Sequence, residues 1–132
     1  MAAIPKPETV NLAEKYATFD ETWSPRIVAE ANGQHVRIAK LEGAFVWHKH
    51  DDEDELFIVM EGDLTVEFRD ADGEWSREVG AGELIVVPRG LEHRPVVREG
   101  AVRLVNITKA ETKHTGETTA DITVDVADMP RV

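Results

Sequence analysis

Residues 47–62, WHKHDDEDELFIVMEG, set two histidines one residue apart, follow them with five consecutive acidic residues and then turn abruptly apolar. Two readings compete for this stretch: a solvated, charged bend between strands, or a bend whose flanking side chains aim inward at a metal ion. If residues 44–50, AFVWHKH, form a strand, side chains alternate across it, so Val46, His48 and His50 share one face while Phe45, Trp47 and Lys49 share the other. The two histidine Cβ atoms then lie roughly 6.5 to 7 Å apart, a separation from which two imidazoles can converge on one ion. In the next run, residues 55–60 ELFIVM, Glu55, Phe57 and Val59 share a face, and Glu55 can oppose the histidines where that face looks inward. A third imidazole, His93, follows the bend formed by Pro88 and Gly90.

Outward from this stretch, the chain of 132 residues has the length of one domain and needs no covalent staple to fold. It contains no cysteine, which removes disulfides, thiolate nucleophiles, iron-sulfur clusters and zinc-thiolate sites; any metal must be held by nitrogen and oxygen. Three imidazoles and one carboxylate suit a divalent transition metal, Mn, Fe, Ni, Co or Zn. A formal net charge of −11 with no basic stripe argues against nucleic acid and anionic lipid. No apolar run approaches signal-peptide or membrane-spanning length, so a cytoplasmic protein without membrane contact is expected.

The organisation reads as all-β. Residues 1–25 form an N-terminal arm with a short helix, where Leu12, Tyr16 and Phe19 fall on one face of VNLAEKYATF. Residues 26–108 carry short β-prone runs separated by Gly, Asp and Pro turns, with no helical crossovers, as in a sandwich or small barrel. The first two runs flank Asn32-Gly33, the pair that a tight hairpin favours because both turn residues must tolerate positive φ. Further runs are DLTVEFRD (63–70), EWSREVG (74–80), AGELIVVPRG (81–90), EHRPVV (92–97) and AVRLVNIT (101–108). Residues 109–132 are polar at first and end in the alternating DITVDV, an extended tail or edge strand.

Written as Gly43-x4-His48-x-His50-x4-Glu55-x6-Gly62 followed by Gly82-x5-Pro88-x-Gly90-x2-His93, the chain resembles the two motifs of the cupin superfamily, small double-stranded β-helix barrels of jelly-roll type. The resemblance covers roughly residues 36 to 107. It implies that His48, His50, Glu55 and His93 are metal ligands, and resemblance to small one-domain cupins implies a homodimer. Two departures stand out: four residues rather than five separate Gly43 from His48, and Val97 occupies a position where Asn is common. Related cupins include dioxygenases, isomerases, decarboxylases and lyases, so the expected function is metal-dependent chemistry on a small molecule. The alternative is a non-catalytic binding or sensing protein with a structural metal. No catalytic acid or base beyond the ligands is identifiable.

Other residues carry plainer expectations. Val46, Phe57 and Val59 share the ligands' face and are candidates to line a pocket beside the metal. His35 and His114, next to a turn and in a polar tail, read as solvated. The first four residues of the acidic run read as a solvated loop, with Asp54 or Glu53 as alternatives to Glu55. Arg37, Lys40, Arg94 and Arg103 could anchor an anion, but strand parity sets Arg94 opposite His93, and all four read as exposed cations. Trp23 and Trp47, the latter on the outer face, read as aromatics that mark a surface another chain could cover.

Overall fold

The computed structural model describes residues 3–116, 120 and 123–132. One helix, α1 (Leu12–Tyr16), precedes seven strands: β1 (Arg26–Ala31), β2 (Gln34–Ala44), β3 (Glu55–Glu61), β4 (Asp63–Asp70), β5 (Gly73–Gly80), β6 (Leu84–Val87) and β7 (Glu92–Lys109). All strand pairing is antiparallel, in the order β1-β2-β7-β3-β6, with β4 joined to β7 and β5.

The register starts at the hairpin that the sequence announces. Asn32 (φ 54°) and Gly33 (φ 73°) make a two-residue turn, and Ala31 pairs with Gln34 across it. From there Arg37, Ala39 and Leu41 of β2 point inward. Ile38 points outward, where Tyr16, Phe19 and Val105 bury it in a second apolar cluster. The helix that covers this face is capped by Asn11, whose Oδ1 accepts the Glu14 N–H at 3.1 Å. Tyr16 docks it by donating its hydroxyl to the Leu104 carbonyl.

The two runs expected at 92–97 and 101–108 are a single strand, β7. Its first part, Glu92 to Val96, pairs with β4, and its last part, Val102 to Lys109, lies between β2 and β3. One strand thereby serves both walls of a jelly-roll barrel, whose apolar core includes Leu41, Phe57, Val59, Val66, Val102 and Leu104. Strand β5 is exposed along most of its length and carries Glu74, Arg77 and Glu78, charges that discourage pairing with another edge.

Gly62 turns the chain from β3 into β4 at φ 89°, and a Cβ there would lie 2.3 Å from the Ala101 carbonyl oxygen. Steric and conformational terms act together at this position. Gly62→Ala should therefore lower the unfolding free energy by roughly 3 kcal/mol or more, read as a shifted urea midpoint.

The tail is not an edge strand in its described part. It turns at 110–116, forms a 3-10 turn at Val126–Asp128 and touches β1 through one bridge, Ile27 to Arg131. Asp121 and Ile122 of the alternating DITVDV lie outside the described residues. Thr112 and Thr115 are buried, and Gly116 packs so closely on the Lys49 carbonyl that only hydrogen fits in place of its side chain.

Candidate metal centre

Residues 44–50 do not form the continuous strand that simple alternation requires. Phe45 donates its N–H to the Pro95 carbonyl, whereas His48 and His93 exchange both backbone hydrogen bonds, at 3.0 and 2.8 Å. Three residue steps on one strand therefore oppose two on the other, a β-bulge. The extra residue resets the parity, so Phe45 and His48 both face inward while Val46 and Trp47 are half-buried. Alternation resumes at His50.

The bulge explains which expected pocket residues reach the cavity. Phe57 lines it; Val46 does not, because Phe45 has taken the inward position; Val59 lies deeper, in the apolar core. Trp47 faces away from the cavity, as expected, beneath the guanidinium of Arg69, 4.2 Å from its ring centroid.

His48, His50, Glu55 and His93 converge, each offering one ligand atom within 4.8 Å of the others, and all four are buried. Glu55 Oε1 is 3.3 Å from His50 Nε2 and 3.5 Å from His93 Nε2. The Nδ1 atoms of His48 and His93 each meet a carbonyl at 2.9 Å, from Val46 and Leu91. A carbonyl only accepts, so both Nδ1 atoms carry the proton and both Nε2 lone pairs are free to bind a cation. His50 Nε2, Glu55 Oε1 and His93 Nε2 are buried without a hydrogen-bond partner. Orphaned polar atoms of this kind are costly unless something absent from the polypeptide satisfies them. A nitrogen-and-oxygen set aimed at one point fits a divalent ion, so the cluster could hold one.

Electrostatics agree with that use. Burial, helped by the neighbouring His93 imidazole, pushes the His48 pKa down to about 3, so its lone pair stays available at neutral pH. Burial works to raise the Glu55 pKa, but close contact with His50 and His93 outweighs it and holds the carboxyl well below the usual range. His50 moves the other way: burial lowers its pKa, yet Glu55 and Glu53 raise it overall, so a proton competes with a cation there.

A cavity of about 60 Å³ opens beside the cluster, and several residues read from sequence as exposed are part of this end of the barrel. Arg37 is 3% exposed and lines it. His35 is 2% exposed because β2 parity turns it inward, where its Nδ1 accepts from Arg37. His114 is half-buried on the cavity wall, brought there by the turn of the tail, with its ring 5.1 Å from Phe45. Trp23 also lines the cavity, stacked on Phe45 at 4.6 Å. The hairpin register puts Arg37 and His35 on the face of Ala39 and Leu41, but the opposite face, with Val36 and Ile38, is just as apolar, so the sequence does not say which one is inside. Nothing in the polar tail marks His114.

A jelly-roll barrel that gathers three imidazoles and a carboxylate against a small, mostly apolar cavity defines a class of metal-site β-barrels. The chain belongs to the cupin family: the model of the Cupin domain matches residues 34–108. It is 36% identical over 94 residues to the uncharacterized protein YdbB of Bacillus subtilis, a match covering 71% of this chain and 72% of that one. Against the acireductone dioxygenase of Yarrowia lipolytica it is 31% identical over 112 residues, 83% of this chain but only 64% of the enzyme. A crystal structure of a cupin-2 domain containing protein from Shewanella frigidimarina superposes with a TM-score of 0.68 at 42% identity, over 76% of this chain and 92% of that one. No helix among the described residues is long and apolar enough to cross a membrane.

Proposed function

We propose that the protein is a metal-dependent enzyme for a small organic substrate, with oxygen-dependent oxidation as its reaction class. The observation that carries the metal is the set of buried, unpartnered ligand atoms on His50, Glu55 and His93. Similarity to an acireductone dioxygenase supports the choice of oxidation. A divalent ion supplies Lewis-acid or redox chemistry at positions its protein ligands leave open.

The chain's own residues do the rest. The Val46 and Leu91 carbonyls fix the tautomer and orientation of His48 and His93. Trp23, Phe45, Phe57 and Leu104 form an apolar wall that keeps bulk water from the reacting end of the substrate. The small cavity selects compact molecules. Non-ligand groups able to move protons are few, which suits oxidation better than a reaction requiring a dedicated acid and base.

The test loads metal-free protein with Fe(II), Mn(II) or Zn(II) and follows dioxygen uptake with small enediols and diketones. Uptake with the redox-active ions and none with Zn(II) is expected. Turnover without dioxygen, equally fast with Zn(II), would replace oxidation by isomerase or lyase chemistry.

A further inference from the structure

The barrel interior contains a cation, Arg37, that no carboxylate among the described residues partners. Arg37 makes four close contacts, all to neutral acceptors: Nε and Nη2 to His35 Nδ1 at 3.3 and 3.1 Å, Nη1 to the Thr112 carbonyl at 2.9 Å, and Nη2 to the Ala110 carbonyl at 3.1 Å. These use four of its five N–H groups and leave one on Nη1. Among the described residues, no Asp or Glu oxygen lies within ion-pair distance of it. The carboxylates acting on it through space are Glu55 and Glu53.

Charge balance shows what is missing. A divalent ion on the four ligands adds two positive charges, Arg37 adds one, and Glu55 subtracts one. Glu53, whose Oε1 is 3.7 Å from His50 Nδ1, subtracts one more from the edge of the site. Counted over the described residues, the loaded interior therefore keeps a net positive charge in a place where uncompensated charge is expensive. A bound anion removes that excess.

Strand pairing sets one further polar group of the cavity wall, Asn106, beside Arg37. Asn106 of β7 pairs with Arg37 on one side and with Phe57 on the other, and all three line the cavity. His114 Nδ1 accepts the Val124 N–H at 2.9 Å, which places its ring proton on Nε2. Arg37, Asn106 and His114 thus give the wall three donors, and the remaining lining is mainly apolar and aromatic.

We infer that the ligand of this cavity is a compact organic carboxylate, its anionic group received by Arg37 and Asn106 and its carbon skeleton held against Trp23, Phe45 and Phe57. The inference rests on the metal-site reading above and deepens it by naming the substrate class. Arg37 has a second task, because its contacts with the Ala110 and Thr112 carbonyls hold the tail that carries His114.

The experiment is calorimetric titration of the full chain, loaded with Zn(II) to avoid turnover, using pyruvate and benzoate against their neutral amides, with metal per chain measured on each sample. Wild-type protein should bind the acids at least about tenfold more tightly than the amides. Arg37→Met should abolish that preference while keeping the metal. Arg37→Lys, which retains charge but cannot reproduce the fork of contacts to the tail, should keep most of it. Equal affinity for acid and amide in metal-loaded wild type overturns the inference and leaves the metal centre standing, a comparison that requires no variant to fold. Loss of preference in Arg37→Lys as complete as in Arg37→Met reduces Arg37 to a tail anchor and also overturns it. Wild-type protein that takes up no metal overturns both readings.

Discussion

Elemental analysis of protein carrying His48→Ala and His50→Ala together should return less than about a tenth of an ion per chain, against about one for the unmodified protein. The two substitutions remove half the donors and both rings entering from the segment before the acidic bend. Glu55 then faces His93 alone, and one imidazole with one carboxylate does not hold a divalent ion against a chelator. The barrel should persist, since the apolar core of Leu41, Val59, Val66, Val102 and Leu104 is built by other residues. Near-ultraviolet circular dichroism separates the outcomes: a native-like spectrum with no metal supports the assignment, and retained stoichiometric metal refutes it. The backbone pairing of His48 with His93 involves no side-chain atom, so alanine leaves the bulge and its register in place.

Acid should be the protein's main weakness once the metal is removed. The folded state holds His48 near pKa 3 and His114 near 4, the latter mainly through burial, whereas in the unfolded chain both titrate near 6.5. Between those values the unfolded state binds more protons. Stability contributed by the two groups is therefore present above about pH 6.5 and lost as pH falls, at up to about 1.4 kcal/mol per unit for each, or up to about 5 kcal/mol by pH 4.5. His35 adds to the loss, because burial and then Arg37 lower its pKa as well. His50 has the opposite sign: its raised pKa contributes stability that is complete below about pH 6.5 and is lost as pH rises, so it adds no slope over the acid interval. Glu55, held low, extends the loss beneath the normal carboxylate range. Urea midpoints of chelator-treated protein at pH 7.5, 6.5, 5.5 and 4.5 measure this. A stability independent of pH over that interval would mean that these imidazoles are hydrated in solution.

The sequence was legible where a local rule had one outcome. Asn32-Gly33 fixed the first hairpin, the alternation of Leu64, Val66 and Phe68 fixed the inner face of β4, and the spacing of Leu12, Tyr16 and Phe19 marked the helix. That His48, His50, Glu55 and His93 come together in a cluster that could hold an ion was equally readable from the two spaced motifs. Illegible features were those in which a distant element changed the meaning of a residue. In β2 both faces are apolar, one turned to the barrel and one covered by α1, so polarity could not show that His35 and Arg37 were inside. The bulge at 45–48 depends on how the chain meets β7, and it exchanged Val46 for Phe45 at the cavity. His114 reaches the site on a turn whose Ala110 and Thr112 carbonyls Arg37 holds, a contact between residues more than seventy positions apart.

The stacking of Trp23 on Phe45 at the cavity wall gives the protein an optical consequence. Of its three indoles, Trp47 lies beneath Arg69 and Trp75 stacks on Phe68 along the exposed β5 edge, leaving Trp23 as the one that lines the cavity. With Trp47 and Trp75 replaced by phenylalanine, the remaining emission comes from the cavity wall itself. A paramagnetic ion or an absorbing ligand arriving there quenches it, so occupancy of the site becomes a fluorescence signal that needs no attached dye.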